Sequence, residues 1–123
     1  MSAAPDIVDR DALAAGGYKA DHGKLRYDLV PADALEDLVE IFTFGANKYA
    51  DRNWEAGMAW GRVFAAVMRH LWAFWRGESI DRESGLPHTA HAMWGCMVLT
   101  SYIKRAAGTD DRPWVETEEV VHA

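Results

Sequence analysis

A chain of 123 residues, half of them hydrophobic, is long enough for one domain with a small buried core. Its 19 acidic and 13 basic residues give a formal net charge of -6, which argues against a broad electrostatic grip on nucleic acid or an anionic membrane. The single cysteine, Cys96, can form no disulfide within the chain; lying in an apolar run, it is expected to be a small buried hydrophobe in a reducing compartment, with the cytoplasm as the location.

No basic start followed by an apolar stretch opens the sequence, and no apolar run reaches the roughly 20 residues of a membrane span. The expectation is a soluble, unexported protein with neither membrane nor nucleic acid as partner. Six tryptophans, Trp54, Trp60, Trp72, Trp75, Trp94 and Trp114, are more than a fold this small can hide, so some should face a ligand or another subunit.

Residues 1–30 have neither helical nor strand periodicity and read as an N-terminal arm. Its Lys19, Lys24 and Arg26 belong either to a solvated segment or to an arm laid over a phosphate site. Pro31 is placed to open a first helix, in which Leu35, Leu38, Val39, Phe42, Ala46 and Tyr49 recur at spacings of three and four. "ADRNWEAGM" breaks it with Asp, Asn and Gly. A second helix runs from Trp60 to Arg76, with Phe64, Val67, Met68, Leu71, Phe74 and Trp75 on a broad apolar face.

The polar stretch "GESIDRESGLPHTAH" at 77–91 interrupts the apolar runs. A third helix, His88 to Ala107, is apolar nearly all round and is expected at a bundle centre or a subunit interface. Residues 108–123 lose periodicity and are acidic, which predicts a flexible tail, with Trp114 and Val115 able to dock on a neighbour. The predicted fold is all-α, a small antiparallel bundle over 31–107 that completes its core by oligomerisation, as a dimer or tetramer.

Several groups could carry chemistry. Glu36, Asp37 and Glu40 fall within about 100° of one another on the first helix, as an acidic patch or an ordinary solvated face. Arg62, Arg69 and Arg76 repeat every seven residues; they either pair with those acids or offer a phosphate ligand, Arg69 first. His70 sits at the edge of the second helix's apolar face. In the polar stretch Glu78 and Asp81 are three apart, as are His88 and His91, and such pairs can converge on a metal ion. The simpler alternative is that Asp81 or Ser84 caps the third helix. Lys48, Asn53 and Trp54 suit a phosphate and a stacked base, or a loop that plugs the bundle end.

These residues resemble a known superfamily, the all-α nucleoside triphosphate pyrophosphatases called MazG-like. The strings "GANKYADRNW", "RHLWAFWRGESID" and "SGLPH" are similar to a bacteriophage branch, the dATP/dGTP diphosphohydrolases, and the likeness covers most of residues 24–103. The superfamily signature is Glu-Glu-x-x-Glu followed by Glu-x-x-Asp, binding magnesium or manganese. Glu36-Asp37-Leu38-Val39-Glu40 looks like the first element and Glu78-Ser79-Ile80-Asp81 like the second, although Asp37 replaces a glutamate and the gap between the elements is longer than usual. His88-Thr89-Ala90-His91 is the alternative occupant of the second place.

The resemblance implies an enzyme that converts a purine deoxynucleoside triphosphate, dGTP first and dATP next, to its monophosphate and pyrophosphate with Mg²⁺ or Mn²⁺. It implies metal ligands among Glu36, Asp37, Glu40, Glu78 and Asp81, with His70, His88 and His91 as base or extra ligands. Lys24, Lys48, Asn53, Trp54 and Arg69 are then candidates to bind substrate. Metal ions would also reconcile an acidic protein with an anionic substrate. Two rivals stand beside this reading: an HD-type dNTP phosphohydrolase, weakened because no His is followed directly by Asp, and a non-catalytic helical interaction module.

Overall fold

The structure, a computed structural model, describes residues 16–114. The chain divides into two units, Met1–Pro31 and Ala32–Ala123. The described part of the first is irregular apart from one 3-10 turn, Tyr27–Leu29, beside which Arg26 forms a two-pronged ion pair with Asp28 at 2.8 Å for each contact. The second is all-α. Helices α1 (Ala32–Lys48), α2 (Trp60–Trp75) and α3 (His88–Arg105) are joined by a loop with a 3-10 turn at Asn53–Ala56 and by the polar stretch. Among the described residues there is no strand, only two isolated bridges, and no helix is long and apolar enough to cross a membrane.

Helix α3 packs against both α1 and α2. Its inner row, His88, Ala92, Gly95, Val98 and Tyr102, is buried, and Trp60, Val63, Val98 and Tyr102 form the core. Gly95 sets the α2–α3 distance: a Cβ there would overlap Val67 Cγ2, so only glycine lets the helices come this close. Around the core, Trp54, Phe42 and Trp94 pack edge to face, and the buried Tyr102 hydroxyl donates to the Trp54 carbonyl at 2.6 Å.

The structure corrects four expectations. In α2 the packed row is Trp60, Val63, Val67 and Ala73, while Phe64, Leu71, Phe74 and Trp75 stay exposed. In α1 the buried residues are Leu38 and Ile41, while Leu35 and Val39 are exposed. In α2 two apolar stripes compete, and the close approach at Gly95 selects the one with Val63, Val67 and Ala73 over the bulkier one. The third correction is that α3 is not at the centre of the bundle: within one chain Met93, Cys96, Met97 and Ile103 form an exposed outer face, so the chain's own core does not bury Cys96.

The fourth concerns the tail, whose first residues are held. Trp60 N–H donates to Thr109 O at 2.9 Å, Thr109 N–H to Met58 O at 3.2 Å, and the Trp60 indole to Ala107 O at 2.9 Å. The Arg112 guanidinium lies 5.0 Å from the Trp60 ring. The physical reason is that Ala59, at the start of α2, offers no capping side chain, so the orphan donors of the first turn take partners from the returning chain. Trp114 is exposed, and Val115 lies outside the described residues.

Candidate functional site

The polar stretch folds back on itself. Gly77, at a φ of 100° that disfavours any side chain, turns the chain out of α2. Asp81 N–H then donates to Leu86 O and His88 N–H to Ser79 O, each at 2.9 Å, making the Ile80–Pro87 bridge. Inside this hairpin the Asp81 carboxylate accepts Glu83 N–H at 3.2 Å, and the Ser84 hydroxyl accepts Leu86 N–H at 3.1 Å. Lys48 at the end of α1 clamps the turn through a 2.7 Å ion pair with Glu83. Pro87, not Asp81 or Ser84, holds the N-cap position before α3, and no side chain caps the helix, so the capping alternative is not what forms.

This fold brings the polar side chains together. His70 extends the packed row of α2 one turn beyond Val67, and His88 and His91 occupy the first turn of α3. His70 Nδ1 and His88 Nδ1 are 2.8 Å apart, and the rings of His70 and His91 stack at 4.4 Å with 7° between their planes. His91 Nε2 lies 2.6 Å from Ser84 Oγ and 3.2 Å from Asp81 Oδ2. His88 is only 6% exposed; its Nε2 has no hydrogen bond, and Glu78 Oε1 stands 3.5 Å away.

Burial, and then the neighbouring imidazole of His91, pushes the His70 pKa below its ordinary value, with His88 and Arg69 adding to the effect. Burial also lowers the His91 pKa, opposed by the Asp81 carboxylate. Both shifts favour the neutral imidazole, which keeps one nitrogen lone pair. Such a lone pair can take a proton from water or bind an ion.

Among the described residues, one group of three or more His, Cys, Asp or Glu has ligand atoms all within 4.8 Å of one another: His70, Asp81 and His91. Its two nitrogens and one carboxylate oxygen fit a divalent ion. Glu78 stands one residue out, beside His88. Glu36, Asp37 and Glu40 are not in the group; Glu36 and Glu40 are exposed and Asp37 is half-buried, and none makes a hydrogen bond or ion pair among the described residues.

The remaining candidates are not members of this group. Arg62, Arg69 and Arg76 are exposed and make no ion pair with the α1 acids. Asn53 is exposed in the 3-10 turn, whereas Trp54 is half-buried, with the Arg105 guanidinium 5.2 Å over its ring. Lys24 is exposed in the first unit, where its N–H donates to Asp21 O at 3.0 Å. Sequence reasoning treated Ser84 only as a possible cap and passed over the Glu83 clamp. The signal for both was the crowding of polar residues before Gly85 and Pro87, which marks a structured turn.

The family described as dATP/dGTP diphosphohydrolase, N-terminal, matches residues 14–112, which include every residue of the cluster. A dATP/dGTP diphosphohydrolase of Salmonella phage PMBT28 is 33% identical over 98 residues, covering 80% of this chain and 33% of the phage protein. The chain thus spans about a third of the length of that relative. No solved structure matches.

Proposed function

Since this chain belongs to the family of dATP/dGTP diphosphohydrolase N-terminal domains, we propose that it hydrolyses a purine deoxynucleoside triphosphate, dGTP or dATP, to the monophosphate and pyrophosphate. The observation that carries the reading is the convergence of His70, Asp81 and His91 inside the matched region. Of the two ions the resemblance implies, Mn²⁺ suits Asp81 and the cluster histidines as donors better than Mg²⁺ does, with Glu36, Asp37, Glu40 and Glu78 as further carboxylates. Once bound, it would offset triphosphate charge and favour ionisation of water.

The chain's own groups supply the rest. Water attacks the α-phosphorus, the bond to the bridging oxygen breaks, and pyrophosphate leaves with that oxygen. Lys48 and Arg69 offer cations to the departing phosphates, and the Glu83 partner of Lys48 must yield for this. The Ser84 hydroxyl and Asp81 carboxylate hold the His91 ring in place.

The active form in this reading is a homo-oligomer in the host cytoplasm. Its support is the apolar surface left open on all three helices, including Met68, Leu71, Trp72, Phe74 and Trp75 around one concavity of α2.

The test is incubation with the eight common ribo- and deoxyribonucleoside triphosphates, with Mg²⁺ or Mn²⁺, followed by chromatographic identification of products. Pyrophosphate with dGMP or dAMP is expected, and Asp81→Asn should abolish turnover while keeping its helical circular dichroism. Release of intact triphosphate would favour the HD-type reading, and no turnover on any purine substrate would sink the enzyme assignment.

A further inference from the structure

We propose that His70, Asp81 and His91 form a nitrogen-rich site for a divalent transition-metal ion of the Mn²⁺, Co²⁺ and Zn²⁺ class, filled without nucleotide and selective against Mg²⁺. The site deepens the hydrolase reading by naming the ion, but its binding test does not depend on turnover.

Distance comes first. Donors held at roughly 2.0–2.2 Å from one ion stand at most about 4.4 Å apart. The three ligand atoms here lie within 4.8 Å of one another, and since three donors cannot all stand opposite each other the widest pair must draw in by roughly an ångström to reach tetrahedral spacing. The three residues come from α2, the hairpin turn and α3. Asp81 is held by its turn and His70 by the packed row of α2, whereas His91, stacked on His70 in a nearly parallel plane and in contact with Ser84, must turn its ring to bring its lone pair to the same ion.

The second observation is the orphaned atom of His88. The 2.8 Å contact between His70 Nδ1 and His88 Nδ1 needs one N–H and one lone pair. Hydrogen-bond logic assigns the proton. His88 Nε2 is buried and stands 3.5 Å from the Glu78 carboxylate, so the His88 proton belongs on Nε2. His88 Nδ1 is then the acceptor and His70 Nδ1 the donor, which leaves the His70 lone pair on Nε2. Glu78, His88 and His70 thus form a line in which a carboxylate and a second imidazole orient a ligating imidazole. That is how metal-bound histidines are commonly supported, and a purely structural histidine pair has no need of it.

Donor chemistry decides the ion. Mg²⁺ requires near-ideal octahedral oxygen coordination and gives up its waters reluctantly, and Ca²⁺ takes six to eight oxygens. Two imidazoles and one carboxylate instead suit first-row transition ions. With side chains 12% and 20% exposed, His91 and Asp81 are open enough for an ion to enter.

The experiment uses the full chain, stripped with a chelator and titrated with Co²⁺ or Mn²⁺ in the absence of nucleotide. Binding of one ion per chain is expected, with Co²⁺ visible bands of nitrogen and oxygen ligation, and a hundredfold excess of Mg²⁺ should leave those bands in place. His70→Ala and His91→Ala should each weaken binding more than tenfold, and Glu78→Gln, acting through His88, by about tenfold. Should those variants unfold, the wild-type protein still decides. Nitrogen couplings in the Mn²⁺ electron spin echo support the site, and their absence, displacement by equimolar Mg²⁺, or loss of binding in Glu36→Gln with retention in His91→Ala would overturn it. Failure of hydrolysis with intact Co²⁺ binding would count against the enzyme reading alone.

Discussion

The carboxylate of Asp111 accepts the backbone N–H of Gly61 at 2.7 Å, joining residues fifty apart to cap the first turn of α2. Helix α2 starts at Trp60 behind Ala59, which cannot cap, so a residue from beyond α3 does what a local Ser or Asp usually does. An acid at this end also suits the helix dipole. Asp111→Ala should therefore lower stability by about 1 kcal/mol, in the range of lost N-caps. Urea unfolding measures it, and a midpoint equal to wild type would show that the contact adds nothing.

Gly95 and Val67 yield a second test, because a methyl at 95 would meet Val67 Cγ2 inside van der Waals contact. Overpacking of a buried helix interface costs roughly 1–3 kcal/mol, which outweighs the gain of up to about 1 kcal/mol when alanine replaces glycine in a helix. Gly95→Ala should destabilise the fold. Val67→Ala should also destabilise it, by leaving a cavity, but the double variant should lose less than the two single losses added together. Strict additivity in a double-mutant cycle would refute the close approach.

These two contacts show where the sequence stops being readable. Helix positions followed from apolar spacing and breakers, since Pro31, Gly77 and Pro87 act through local backbone geometry. Which stripe of each helix would pack did not follow. α2 offers both Val63–Val67–Ala73 and Phe64–Leu71–Trp75, and the choice depends on Gly95 of another helix, a long-range fact. The expectation that Cys96 is buried failed for the same reason: an all-round apolar helix hides the distinction between core and outer face.

The site divides similarly. His70, Asp81, His88 and His91 were each visible as candidates, because histidines and acids at spacing three share a helix face or turn. Their convergence was not visible, since it requires the hairpin between Ser79 and His88 to return the chain to the end of α2. The α1 acids carried the stronger pattern, yet they stand outside the one compact ligand group among the described residues.

The lowered pKa values of His70 and His91 imply a stability that depends on pH in the metal-free protein. Burial disfavours their charged forms in the fold, so the unfolded chain binds protons at higher pH than the folded one. Stability is then fully present above about 6.5, the ordinary histidine value, and is lost as pH falls toward the lowered folded values. Thermal unfolding between pH 8 and pH 5 in chelator should show a falling midpoint. A double His70→Gln, His91→Gln variant should show a flatter profile over the same range, and equal slopes would assign the loss to other groups.

The exposed Cys96 makes the proposed oligomer measurable. It lies on the outer face of α3 with Met93 and Met97, which sit three residues before it and one after, and the chain has no other cysteine. A thiol reagent should label one site per chain in the folded protein, quickly if that face is free. If a second copy covers α3, labelling should slow as protein concentration rises and recover on dilution, in step with the mass measured by light scattering. A rate that stays constant while the mass shows a dimer would put the interface elsewhere, with the α2 concavity lined by Leu71, Trp72 and Trp75 the next surface to test. Trp72→Lys would decide that case, because a charge placed in an apolar interface disfavours association, whereas on an open surface it is readily solvated.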